Sequence, residues 1–292
     1  MGSRLRAVWG LLAFVVLAFV VFPAKGRWLR ALLHGSDDTV RYVLDHMIEL
    51  AAIVLFASIM AAIARRPFGA FGLPWRLALR SRFWQGAGAG LASLTLLMFG
   101  LRATGAIQLG VSSTPPLQAA GLGLVYAALF VLLAMREEFL YRGYGLYTLA
   151  EISGFWPAVL VSTAWFTWSH AGNSQENALG LANVAVGGLL FCLMLRRTGN
   201  LWMAIGFHAT WDWGQTYFYG VGDSGHPPAP GHLFTATVSP AAPAWLSGAP
   251  VGPEGSVLCG ALSAVLIAVY AWRLRGARGL DPSLEPMGAR EA

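Results

Sequence analysis

Residues 118–149 read QAAGLGLVYAALFVLLAMREEFLYRGYGLYTL, and two properties of this stretch decide the fold. Between Arg102 and Arg136 there is no Asp, Glu, Lys, Arg or His, and the apolar part of that interval exceeds what a soluble core helix needs. A helix crosses hydrocarbon in roughly 20 residues. The charges then arrive together, as Arg136, Glu137, Glu138 and Arg142, in a sequence that remains apolar on either side. An ionisable group inside a membrane helix costs several kcal/mol unless it is paired or hydrated, so this stretch marks both a membrane helix and a place to look for chemistry.

The rest of the chain agrees with a membrane solvent. Of its 292 residues 56% are hydrophobic and 12% charged, with mean hydropathy +0.57; a soluble domain carries about twice that charged share. Further apolar windows lie near 7–22, 46–64, 83–101, 156–170, 179–195, 201–219 and 256–272. With 118–149 these predict an all-α, polytopic transmembrane bundle of about eight helices. The 118–149 window is too long for one span and predicts a helix followed by an interfacial turn. The organisation read from these windows is N-terminal membrane helices and a linker over 1–66, a core over 67–219, a Pro- and Gly-rich outer loop over 220–255, and a last helix with a basic tail over 256–292.

The net charge of +6 is almost all arginine, since Lys25 is the only lysine. Arg65, Arg66, Arg76, Arg80 and Arg82 in one loop, Arg196 and Arg197 in another, and Arg273, Arg275 and Arg278 in the tail orient those segments to the cytoplasm. The 220–255 segment holds neither Lys nor Arg and is expected outside. Lys25, Arg27, Arg30 and Arg41 disagree, offset in part by Asp37 and Asp38. The first window follows Arg4 and Arg6 and reads as a retained anchor, because no small-residue cleavage pattern follows Val21-Phe22-Pro23. The arrangement predicts a multi-pass protein of the inner (plasma) membrane with the bilayer as partner. No basic run interleaves with aromatics, so a nucleic-acid partner is not expected. Cys192 and Cys259 sit in apolar windows and read as core residues.

Three clusters carry ionisable groups within apolar windows: Arg136 to Arg142, Phe166 to His170, and His208 to Asp212. Glu138 and Arg142 are four apart on one helix face and can neutralise each other. Glu137 points about 100° away and lacks that partner, which suits a general base. The bland alternative makes the first cluster two salt bridges, Glu138 with Arg142 and Glu137 with Arg136. His208 and Asp212 also share a face, so the acid can orient the imidazole. A histidine on an apolar helix is more often a packing residue. The functional reading of His170 and His208 rests on their occurring with a carboxylate pair in a chain poor in polar groups.

These residues, Glu-Glu-x-x-x-Arg over 137–142, Phe-x-x-x-His over 166–170 and His-x-x-x-Asp over 208–212, resemble the motifs of the CAAX-processing and bacteriocin-processing intramembrane proteases. Arg197 to His208 and, more faintly, Phe71-Gly72-Leu73-Pro74 extend the likeness. The resemblance implies an endopeptidase in which Glu137 activates water, His170 holds it, and His208 with the residue four later stabilises the oxyanion. Asp212 departs from the family's frequent amide, since an ionised carboxylate cannot donate. The implied partner is a peptide or protein substrate in or at the membrane. Two carboxylates and two histidines could also ligate a divalent metal such as zinc, although no His-Glu-x-x-His pair is present; a metal-free glutamate mechanism uses the same residues, and both stay open. Prenylated substrates fit poorly with the arginine- and alanine-rich usage, which suggests a high-GC bacterium.

Other readings compete. Gly220-Val221-Gly222-Asp223, with Asp45, matches an aspartyl-protease string, and Gly222-Asp223-Ser224-Gly225 a serine-protease one, but both fall in the loop, where the glycines read as turn residues. A transporter using Glu137 and the histidines as a proton relay would string polar groups along a path, whereas these cluster. A catalytically silent scaffold would keep the fold without the chemistry. His226 and His232 are expected to be solvated in the loop, and His34 and His46 have no evident partner.

Overall fold

A computed structural model describes residues 3–18, 31, 38–228 and 230–274. The readings of Lys25, Arg27, Arg30, His34, Asp37, Val21 to Pro23, Arg275 and Arg278 lie outside these residues, as do those of the side chains of Arg4, Asp38, Arg41, Asp45, His46 and Arg273. The described chain is a helical bundle. Its helices are α1 (Ser3–Val16), α2 (Asp38–Ala64), α3 (Ser81–Ala103), α4 (Pro116–Arg142), α5 (Tyr144–Ser153), α6 (Phe155–His170), α7 (Ala178–Thr198), α8 (Trp202–Trp213) and α9 (Val257–Leu274). Among the described residues each predicted window thus coincides with helix. By length and composition four stretches can cross a membrane: Met47–Ala64, Ser81–Ala103, Pro116–Ser153 and Ala178–Thr198. Leu5–Val16 and Val257–Trp272 are apolar but shorter.

The long window divides at Gly143, where ψ of −123° interrupts the helix, so the expected interfacial turn is a second helix, α5. Ser162 ties the break to α6 by donating to the carbonyl of Tyr141 at 2.8 Å. Local chemistry explains the ends of α7. Asn177 Oδ1 accepts from the amides of Leu179 and Gly180, both at 3.0 Å, and Gly199 closes the helix at φ +71°.

The contact that matters most for the site is α3 against α8. Gly86 and Gly90 of α3 and Gly206 of α8 lie at the crossing, and a Cβ on Gly86 or Gly206 would strike the carbonyl of Met203 or Phe83 respectively. Small residues let membrane helices approach this closely, where no hydrophobic driving force acts between them. Thr210 crosses the same contact, donating to the carbonyl of Ala87 at 2.8 Å. The linker between α2 and α3 is pinned to the start of α8: the Leu201 amide donates to Gly72 O at 2.8 Å, and Trp202 Nε1 to Pro74 O at 3.1 Å. The faint Phe71-Gly72-Leu73-Pro74 signal is therefore the support of α8.

Two features depart from the sequence reading. β1 (Ile107–Val111) pairs antiparallel with β2 (Phe234–Val238), a small sheet inside an otherwise helical protein. Consequently the 220–255 segment is folded rather than a solvated loop. It continues from a π-helical turn over Gly214–Phe218. His232 is half-buried there and bonds Thr235 Oγ1 at 3.1 Å, which corrects its expected solvation.

Candidate active site

Three helices deliver the motif residues to one cavity of about 340 Å³. Glu137 comes from α4, His170 from the last position of α6, and His208 and Asp212 from successive turns of α8. Phe130, Leu133, Val184, Gly187, Leu190 and Phe191 give it apolar walls.

Glu138 and Arg142 stand behind this cavity. Both side chains are fully buried, and Arg142 Nη1 donates to Glu138 Oε1 at 2.7 Å, as their spacing predicts. The guanidinium also lies over the rings of Phe166 (4.2 Å) and Phe191 (5.2 Å). An aromatic face attracts a desolvated guanidinium, which gives the Phe of the second motif a physical task. Glu138 Oε1 also meets His208 Nδ1 at 2.9 Å. A carboxylate paired with arginine only accepts, so Nδ1 carries a proton and Nε2 turns toward the cavity.

At Nε2 the imidazole faces Asp212 Oδ2 at 3.5 Å and Glu137 Oε2 at 3.7 Å. Glu138 thus meets the ring at Nδ1, and Asp212 meets it at Nε2. Glu137 needs correction. It is not unpaired, because Arg136 Nη1 donates to its Oε1 at 2.7 Å while Arg136 Nε serves Glu49 Oε2 of α2, also at 2.7 Å. Both salt bridges of the bland alternative exist. They coexist with the cavity, since Glu137 presents Oε2 to His208 while Oε1 holds the arginine.

His170 is set by its own helix. Its Nδ1 lies 2.8 Å from the Phe166 carbonyl, which can only accept, so Nδ1 is the protonated nitrogen and Nε2 is left for the cavity. Tyr141 steadies this turn by donating to Ser169 Oγ at 2.8 Å.

Four residues of the 220–255 segment, Asp223, Ser224, His226 and Glu254, also line the cavity. Both loop strings therefore reach the cavity, and glycines of each make turns as expected: Gly220 of the first and Gly225 of the second have φ of +61° and +79°. Burial pushes the Asp223 carboxyl well above the usual carboxylate range, reinforced by Asp212, Glu254 and Glu137. His226 is exposed but is held below the usual imidazole range by partial burial and by nearby His170. The sequence signal for these residues was weak, because they are carboxylates and a histidine in a polar loop.

Among the described residues no group of three His, Cys, Asp or Glu side chains is arranged to hold a metal ion. The donors expected to bind one are engaged otherwise, Glu138 by Arg142 and His208, and Glu137 by Arg136.

All six predicted site residues lie between the start of α4 and the end of α8, and that interval is the one a family model recognises. Residues 119–214 match the model of the Type II CAAX prenyl endopeptidase Rce1-like family. That matched stretch is similar to an Rce1-like domain. No curated protein and no solved structure gave a significant match. This likeness and the four helices long and apolar enough to cross a membrane are the features of a multi-pass membrane protein. Asp223 and Glu254 fall beyond the matched interval.

Proposed function

We propose that the protein is an intramembrane endopeptidase in which Glu137 activates water for attack on a peptide bond of a membrane-associated protein or peptide. The observation that carries this reading is the convergence of Glu137, His170, His208 and Asp212, all within the Rce1-like stretch, on one cavity. Glu137 Oε2 takes a proton from water, and the resulting hydroxide adds to the scissile carbonyl carbon. The imidazolium of His208 donates its Nε2 proton in a hydrogen bond to the developing oxyanion, the one donor available between two carboxylates. His170 Nε2 orients the attacking water. The tetrahedral intermediate collapses as the C–N bond breaks and Glu137 returns its proton to the leaving amine. Asp212 and Glu138 stabilise the cationic ring from either side, so no amide at position 212 and no metal are required.

A bacterial inner membrane is the proposed location, and a maturing peptide or a sorting segment of an exported protein is a better candidate substrate than a prenylated one. The test is terminal proteomics of membranes containing the wild type or Glu137→Gln. New termini should depend on Glu137, and the rate on an identified substrate should fall about 10²- to 10⁴-fold, the range of a general base. Full activity in a folded Glu137→Gln protein would end this mechanism.

A further inference from the structure

Glu254 lines the cavity and holds its neighbours there. Its Oε1 accepts from Trp211 Nε1 at 2.7 Å, and its Oε2 accepts from both the Ser224 amide (3.0 Å) and Ser224 Oγ (2.6 Å). Its carbonyl accepts from Asn183 Nδ2 at 2.6 Å, an amide that also serves Ser256 O at 3.0 Å. One residue thus joins α7, α8 and the 223–226 turn. Ser224 sits at φ +45°, a left-handed conformation that a serine rarely adopts, and two bonds to the same carboxylate hold it there. The turn is further tied down by Asn173 Nδ2, which donates to Ser224 O at 2.7 Å, and by the Gly225 amide, which donates to Val251 O at 2.9 Å. Trp211, the partner on α8, precedes Asp212 and follows His208 by three positions.

We propose that Glu254 is a positioning residue of this site: it seats the 220–255 segment on α7 and α8 as a wall of the cavity and, through Trp211, fixes the turn that presents His208 and Asp212. The effect on catalysis rests on the peptidase reading above; the wall does not. An open segment would admit bulk water and let the α8 turn rotate, weakening every electrostatic contact in the cavity.

The chain supplies its own probe. Cys259 lines the cavity and is 4% exposed, whereas Cys192 is fully buried and is not among the lining residues. The full chain in nanodiscs is treated with N-ethylmaleimide, and modification of each cysteine is followed by peptide mass spectrometry in the wild type, Glu254→Ala and Ser224→Ala. Losing three hydrogen bonds in Glu254→Ala and one in Ser224→Ala should open the wall enough to raise the Cys259 rate about tenfold and about threefold respectively, with Cys192 unchanged. Ser224→Ala removes a single hydroxyl and keeps the question answerable if Glu254→Ala does not fold. On an identified substrate, kcat should fall with little change in KM, and Glu254→Gln, which keeps an acceptor for Trp211, should recover part of it. Wild-type Cys259 rates in both alanine variants would overturn the wall. Parallel rises at Cys192 and Cys259 would overturn it too, since the loosening would be global. An opened wall with unchanged kcat would overturn the positioning of α8. If the wild type cleaves nothing, the peptidase reading fails while the thiol rates still decide the wall.

Discussion

Asp212 is where the chemistry of a single residue is most sharply tested. Its Oδ2 lies 3.5 Å from His208 Nε2, while Glu138 already holds Nδ1 at 2.9 Å, so the ring keeps its orientation without Asp212. Asn at 212 retains an oxygen that accepts from Nε2–H and adds an N–H₂ that could reach the oxyanion. Asp212→Asn should therefore keep kcat within about tenfold of wild type, whereas Asp212→Ala should lose about 10²-fold, the usual cost of one preorganised electrostatic partner. Equal loss in both would mean that Asp212 acts by its charge or its proton. The residue scale also shows what local spacing could deliver. Glu138 and Arg142 were legible as an i, i+4 pair; the imidazole that shares their carboxylate was not, because it arrives from a helix 70 positions away in sequence.

Among the helices, α8 owes its place to the glycines it meets. Gly86 and Gly206 bring α3 and α8 into backbone contact, and that contact, with the Gly72 and Pro74 carbonyls at the start of α8, sets the height at which His208 enters the cavity. A methyl group at position 206 would run into the Phe83 carbonyl, which is backbone and cannot swing aside. Gly206→Ala should destabilise the protein by about 1–3 kcal/mol through overpacking and lower activity in the fraction that folds. Thermal unfolding in detergent with parallel cleavage assays would measure both. Gly88, on the facing helix α3, meets nothing, so Gly88→Ala is the control and should leave stability unchanged or slightly raised. Comparable loss at both positions would show that the cost does not come from the tight crossing.

Over the whole molecule, the arginines and the folded 220–255 segment define two ends. Exposed Arg76, Arg80 and Arg82 lie in or beside the linker that grips the start of α8, and the small sheet joins the residues following α3 to those following α8. The positive-inside rule puts the linker in the cytoplasm and the sheet outside. Single cysteines at Arg80 and at Val238, in a background with Cys192 and Cys259 replaced, should react with an impermeant maleimide from opposite faces of sealed vesicles. Labelling from the same face would reject this topology.

What the sequence determined by itself was whatever depends on local composition and short periods. Apolar windows located the helices because hydrocarbon leaves a backbone few alternatives to helix. The rarity of charge inside those windows singled out Glu137, Glu138, Arg142, His170, His208 and Asp212, since buried charge is costly wherever it occurs. Only the tertiary structure decided which nitrogen of His208 faces the cavity, that Glu137 shares itself with Arg136, and that Asp223 and Glu254 belong to the same cavity. Those outcomes are set by contacts between segments far apart in sequence. A carboxylate in a Pro- and Gly-rich loop carries no local mark of burial, because its desolvation comes from α7 and α8 and not from its neighbours in the chain.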